Sequence, residues 1–116
     1  MSGALATRAI GSTGLEVSVL GFGAAGIGNL YRQLPDEDTL AAVRTAYASG
    51  VRLFDTAPFY GFGLSESRLG TALASMQPRP AISTKVGRTL VATAPQDPAI
   101  GREGYFSARP FARSAW

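Results

Sequence analysis

Short apolar runs rich in β-branched residues alternate with helix-length stretches along this chain, and that alternation leaves few folds open. Val17-Ser18-Val19-Leu20-Gly21-Phe22-Gly23, Val51-Arg52-Leu53-Phe54-Asp55 and Ala81-Ile82-Ser83-Thr84-Lys85-Val86 read as strands. Between the first two, Pro35 and Asp36 open a helix. Asp36, Glu37 and Asp38 lie at its positive end, Leu40, Val43 and Tyr47 share one face, and Gly50 can cap it. Between the second pair, Ser65 is positioned to cap a helix on which Leu69 and Leu73 lie four residues apart, and Pro78 and Pro80 stop it. Strand, helix, strand, helix, strand calls for parallel pairing with right-handed crossovers, the pattern of an α/β fold. In front of it, Arg8-Ala9-Ile10, the turn Gly11-Ser12-Thr13-Gly14 and Leu15-Glu16-Val17 predict a short β-hairpin.

The pattern occupies residues 1–88. Residues 89–116 carry Pro95, Pro98 and Pro110 with no sustained period, and read as an irregular loop or tail from a truncated or frameshifted frame. A length of 116 residues leaves room for one modest domain. No apolar run approaches a membrane span, and the opening MSGALATRAIGSTG lacks the features of a signal peptide, so a cytoplasmic protein is expected. The chain has neither cysteine nor histidine, which removes disulfides, thiolate nucleophiles and the commonest metal ligands; no metal site is expected. Of eleven basic residues all but Lys85 are arginine, spread along the chain rather than clustered, so no nucleic-acid partner is expected.

Gly21-Phe22-Gly23-Ala24-Ala25-Gly26 matches the G-x-G-x-x-G pattern of dinucleotide binding. That mechanism needs a helix starting at the third glycine, with its N-terminus on the pyrophosphate. Here Gly28 and Pro35 interrupt the segment and the helix signal begins only at Asp36. Glycines that let a loop pass close to a ligand or another backbone are the favoured reading, and a Rossmann-type binder using Gly21–Gly26 is the weaker alternative.

Asp55, Tyr60 and Lys85 are more informative. The single lysine lies in an apolar strand, where an unpaired ammonium is costly and a carboxylate partner is expected. Strand alternation puts Leu53 with Asp55 on one face and Ser83 with Lys85 on one face, so Asp55 and Lys85 can meet across adjacent parallel strands. Tyr60, in the loop after the second strand, would sit above them. Tyrosine in water has a pKa near 10, and a neighbouring ammonium favours phenolate, making tyrosine a competent general acid or base. Two readings stand at this point: such a catalytic trio, or a buried ion pair with Tyr60 as a rim aromatic.

Asp55-Thr56-Ala57-Pro58-Phe59-Tyr60-Gly61, Glu66-Ser67-Arg68-Leu69-Gly70, Ile82-Ser83-Thr84-Lys85 and Gly14 through Gly23 together resemble the aldo-keto reductases from about Arg8 to Arg88. The stretch Leu20 to Arg32 is similar to the branch that oxidises aldose sugars or pyridoxal. The resemblance implies an N-terminal portion of a (β/α)8 TIM barrel: the β-hairpin and the first three βα units, incomplete. It implies NAD or NADP as cofactor and a small carbonyl compound or sugar as substrate. Tyr60 would be the proton donor or acceptor, Lys85 its tuner and Asp55 the partner of Lys85. Gly23 and Ala24, with Asp55, would lie near the nicotinamide, their small size permitting close approach. Glu66 would support the loop or the helix start.

The chain departs from the family pattern in lacking the fourth catalytic residue, a histidine after the fourth strand, and the late elements that bind phosphate and adenosine. It is therefore expected to be inactive alone. The non-enzymatic alternative is a small αβ interaction module that self-associates through an exposed strand edge.

Overall fold

The computed structural model describes residues 4–87, 89–92, 102–103, 106–107 and 112–115. The chain enters as a hairpin in which β1 (Thr7–Ala9) pairs antiparallel with β2 (Glu16–Ser18), Arg8 opposite Val17. Its turn is closed locally. The Ile10 N–H donates to Leu15 O (2.9 Å), and the Thr13 hydroxyl donates to Ile10 O (2.6 Å) while accepting from the Leu15 N–H (3.2 Å). Gly11 and Gly14 take the left-handed backbone the turn requires, at φ 50° and 81°.

The stretch 17–23, read above as one strand, is two. Ser18 ends β2, the chain bends at Val19 and Leu20, and β3 (Phe22–Gly23) begins only afterwards. The cause is the Ser18 side chain, which donates to Leu20 O (2.6 Å) and accepts the Arg52 N–H (2.7 Å). A serine that captures nearby main-chain groups offers the backbone an alternative to the ladder. Val19 and Leu20 consequently lie outside any strand and stand in solvent, at 56 % and 59 % exposure.

β3, β4 (Leu53–Asp55) and β5 (Ala81–Ser83) form a parallel sheet in that spatial order, with Phe22 opposite Phe54, Gly23 opposite Asp55 and Asp55 opposite Ser83. Beyond the strand ends the ladder continues as single bonds, Ala24 N–H to Asp55 O and Thr56 N–H to Ser83 O, both 2.8 Å. The crossovers are α1 (Asp36–Ala48) and α2 (Leu64–Leu73). Three acidic residues fill the first turn of α1, where they meet its positive end. The helix closes with Gly50 at φ 104°, its N–H on Tyr47 O and the Val51 N–H on Ala46 O, the paired bonds of a Schellman end. α2 starts after Gly63, not at Ser65, which is buried inside its first turn.

Both helices cover one face of the sheet. Phe54, wholly buried in the central strand, packs there with Ala24, Ile27, Val43, Val51, Leu69, Ala72 and Leu73, and its ring lies 5.5 Å from that of Phe22. Burying such a phenylalanine contributes about 1.5–3 kcal/mol. Side-chain alternation sends Gly23, Asp55 and Ser83 to the opposite face, in one row across the three strands. That face is open.

Past Arg88, where the sequence shows no period, β6 (Thr89–Ala92) pairs antiparallel with β9 (Ala112–Ala115), and β7 (Arg102–Glu103) with β8 (Phe106–Ser107). Ladder formation is a main-chain property and does not need apolar alternation, so periodicity did not reveal these pairs. Among the described residues no helix follows β5, and no helix is long and apolar enough to cross a membrane.

Candidate active site

The open row of Gly23, Asp55 and Ser83 leads to Lys85, two residues beyond the end of β5. The Lys85 ammonium donates to Asp55 Oδ2 at 2.9 Å and to Thr56 O at 2.8 Å, and its Nζ lies 4.9 Å from the Tyr60 ring centroid. The three candidate residues therefore meet, as strand parity predicts. They do not form the buried pair that the apolar setting of Lys85 suggested. The side chains of Lys85 and Asp55 are 48 % and 44 % exposed, because β5 stops at Ser83 and the face above it is open.

The electrostatics follow from these contacts. The hydrogen bond from Lys85 is the main influence on Asp55; with a Ser83 bond and the ammonium charge it outweighs partial burial and holds the carboxyl below its ordinary 3.8. For Lys85 the largest single effect is burial, which disfavours the charge. Hydrogen bonding to Asp55 and Tyr60, with their charges, exceeds it and holds the ammonium above its ordinary 10.5. Lys85 is thus a fixed cation at neutral pH, tethered on one side to a carboxylate and facing an aromatic ring on the other.

Tyr60 owes its place to a loop built of overlapping turns. The Tyr60 N–H donates to Ala57 O (3.1 Å), the Gly63 N–H to Pro58 O (2.9 Å), and Tyr60 O accepts the Ser65 N–H (3.1 Å). Underneath, the buried Ser65 hydroxyl lies 2.7 Å from Ala24 O and 2.8 Å from the Thr56 hydroxyl. One proton satisfies the Ala24 carbonyl, so Thr56 is the donor in the second contact. This chain of bonds joins the loops after β3 and β4 to α2. Glu66 accepts from the Thr84 hydroxyl (2.9 Å) and ties the segment before Lys85 to the same helix.

At Gly23 an added Cβ would meet no heavy atom within 4 Å, and the residue is exposed in register with Asp55. Ala24 differs from the expectation for it. Its methyl is wholly buried in the helix-side core, so its side chain does not reach the open face. The nominal G-x-G-x-x-G motif opens no α-helix: Gly26–Gly28 is a single 3-10 turn, and α1 starts at Asp36. Gly28 instead backs onto another main chain, since a Cβ there would come within 2.7 Å of Tyr60 C and O. Among the described residues no group of three or more Asp or Glu gathers that could hold a metal.

Sequence reasoning assigned no role to Arg68, which entered only within the stretch Glu66-Ser67-Arg68-Leu69-Gly70 and among the scattered arginines. It is buried and makes contacts to Ile27, Asn29, Leu34 and Asp36. One signal was available: Ser65, Arg68, Leu69 and Ala72 share helical spacing, which puts Arg68 on the buried face.

The family model described as the aldo/keto reductase family matches residues 19–107. A D-threo-aldose 1-dehydrogenase of a Pseudomonas species is 48 % identical over 84 residues, covering 71 % of this chain and 25 % of that protein. An L-galactose dehydrogenase of Arabidopsis thaliana is 45 % identical over 84 residues, covering 70 % and 26 %. A pyridoxal 4-dehydrogenase of Microbacterium luteolum is 46 % identical over 83 residues, covering 72 % and 24 %. The chain thus spans about a quarter of the length of these relatives.

Among solved structures, the glycerol dehydrogenase of Gluconobacter oxydans superposes with a TM-score of 0.64 at 33 % identity, covering 78 % of this chain and 28 % of that one. The holo form of an aldo-keto reductase from Bacillus halodurans gives 0.64 at 28 % identity, covering 90 % and 30 %. The hairpin and the three parallel strands correspond to the opening portion of the (β/α)8 barrel of these proteins. With that architecture and a family match across most of its length, the chain belongs to the aldo/keto reductase family.

Proposed function

We propose that this chain carries the proton-transfer half of an NAD(P)-dependent oxidoreductase site, acting in the cytoplasm on a small aldehyde, aldose or corresponding alcohol. The observation that carries the reading is the Lys85 ammonium bonded to Asp55 at 2.9 Å with the Tyr60 ring 4.9 Å away. In it Tyr60 Oη is the atom that gives up or receives the proton. The Lys85 ammonium, beside that ring, offsets negative charge that develops on the oxygen in the transition state. Asp55 and Thr56 O fix the ammonium so that it cannot swing away. A nicotinamide coenzyme, when bound, supplies or accepts the hydride. Gly23 suits such a group, since a flat ring can approach where no side chain projects and no heavy atom stands within 4 Å. The names of the aldose, galactose and pyridoxal dehydrogenases support a small carbonyl or sugar as the substrate class.

The test is a hybrid barrel in which residues 19–88 replace the matching segment of the Pseudomonas dehydrogenase. We expect nicotinamide-dependent oxidation of D-threo-aldoses, and a loss of about 100-fold or more with Tyr60→Phe, as for removal of a general acid or base. A folded hybrid without turnover, or one indifferent to Tyr60→Phe, defeats the reading. The 116-residue chain by itself is expected to show no NAD(P)H-dependent turnover above its Tyr60→Phe control.

One observation favours the interaction-module reading. Ile82, in register with the buried Phe54, is 54 % exposed and lines an open groove with Leu73, Ala74 and Pro80. Size-exclusion chromatography separates the cases: a monomer at all concentrations argues against self-association through this edge.

A further inference from the structure

We propose that Arg68 is a positioning residue for Tyr60, acting through the loop of residues 27–34; the proposal rests on the reading of Tyr60 as the proton-carrying residue. The Arg68 side chain is 8 % exposed. Its Nε donates to Asp36 Oδ1 (2.9 Å), Nη1 to Ile27 O (2.8 Å) and Asn29 Oδ1 (3.1 Å), and Nη2 to Leu34 O (2.8 Å). Nη2 also lies 2.8 Å from Asp36 Oδ1. A buried guanidinium is tolerated only when its donors are met, and its planar fork fixes the directions in which acceptors must lie. Here the acceptors span residues 27 to 36, so one rigid group sets the path of the whole segment.

That segment needs an external template. Asn29 and Tyr31 both hold left-handed backbone, at φ 64° and 66°. Such conformations persist where surrounding structure over-determines them. Asn29 Oδ1 also accepts the Leu34 N–H (3.1 Å), folding the loop back on itself around the atom that Arg68 grips.

The other side of the loop is the Tyr60 main chain. Gly28 follows the Ile27 carbonyl held by Arg68, and its Cα faces Tyr60 C and O so closely that a Cβ would stand 2.7 Å from each. Tyr60 O accepts the Ser65 N–H, one helical turn before Arg68. Tyr60 is therefore pressed between the first turn of α2 and the glycine loop; Ser65 ties α2 to the start of that loop at Ala24 O, and Arg68 locks α2 to the rest of it, residues 27–34.

The experiment uses the full chain with 13C-labelled tyrosine rings. Tyr60 signals are assigned by Tyr60→Phe, and Tyr47 serves as the internal reference. Tyr47 donates to Pro78 O (2.6 Å) and stacks under Arg52, contacts that do not involve the loop. In Arg68→Met the Tyr60 ring signals should shift several times further than those of Tyr47. Arg68→Lys, which keeps charge without the fork, and Asn29→Ala should move Tyr60 less, again with Tyr47 nearly still. A stationary Tyr60 overturns the proposal, as does equal movement of Tyr47, which would make Arg68 a support of the fold as a whole. Should Arg68→Met lose its dispersed spectrum, Arg68→Lys and Asn29→Ala decide by the same criterion. The readout is position rather than turnover, so a hybrid enzyme indifferent to Tyr60→Phe would remove the catalytic reading without touching this result.

Discussion

Replacing Gly28 by alanine tests the close approach of the two site loops, and the same substitution at Gly70 supplies its control. At Gly28 the new methyl would stand 2.7 Å from Tyr60 C and O and 3.1 Å from Gly61 N, against 3.4–4 Å for ordinary contact. The obstructing atoms are main chain in a loop of interlocked turns and cannot rotate away. Overpacking of this kind costs about 1–3 kcal/mol, offset by the roughly 0.4–1 kcal/mol gained when alanine restricts the unfolded chain. The expected net is a loss of about 1–2 kcal/mol. With about 4–8 °C per kcal/mol for a domain of this size, Tm should fall by about 5–15 °C. At Gly70, exposed within α2, a Cβ meets nothing within 4 Å, so alanine should raise stability by about 0.5–1 kcal/mol through helix propensity. Urea unfolding followed by far-UV circular dichroism reads both. Equal or same-signed changes in the two variants would refute the claim that Gly28 is required by contact with Tyr60.

Two further outcomes follow from the hydrogen-bond and charge geometry. Ser65→Ala should cost about 1–3 kcal/mol, more than Thr56→Val, because it leaves the buried Ala24 carbonyl without its donor and the Thr56 hydroxyl without its acceptor, whereas Thr56→Val removes one donor and leaves the bond from Ser65 to Ala24 intact; urea midpoints of the two variants give the order. Lys85→Met should lower stability by about 0.2–1 kcal/mol at neutral pH, the range of exposed pairs. Asp55 is held below its ordinary 3.8, so its contribution is present above that value and is lost as pH falls through the lower folded value; Lys85 is held above 10.5, so its contribution is present below 10.5 and is lost as pH rises through the higher folded value. The gap between wild type and Lys85→Met should therefore be a plateau from about pH 4 to 10.5 that closes at both ends, and a gap independent of pH would contradict the ion-pair account.

Much of the site was legible in the chain itself. The order of strands and helices requires parallel pairing, and strand parity places Asp55 and the approach to Lys85 on the same side of adjacent strands, because side-chain direction along a strand is fixed by covalent geometry. Tyr60, five residues after Asp55, then has little choice but to lie above them. What the sequence could not supply depends on partners distant along the chain. Ser18 breaks the apparent strand because its hydroxyl finds Leu20 O and the Arg52 N–H. Lys85 is half-exposed because β5 ends two residues before it and, among the described residues, nothing covers that face.

Sequence alone determined the α/β class, the meeting of Asp55 and Lys85 with Tyr60 beside them, and the failure of the glycine pattern to open a helix, since each rests on local period and spacing. The tertiary structure alone decided that Gly28 abuts Tyr60, that Ser65 bridges two loops, and that Arg68 turns its charge inward. Those roles are set by acceptors on the other side of the fold, and a residue's type carries no record of which distant groups will surround it.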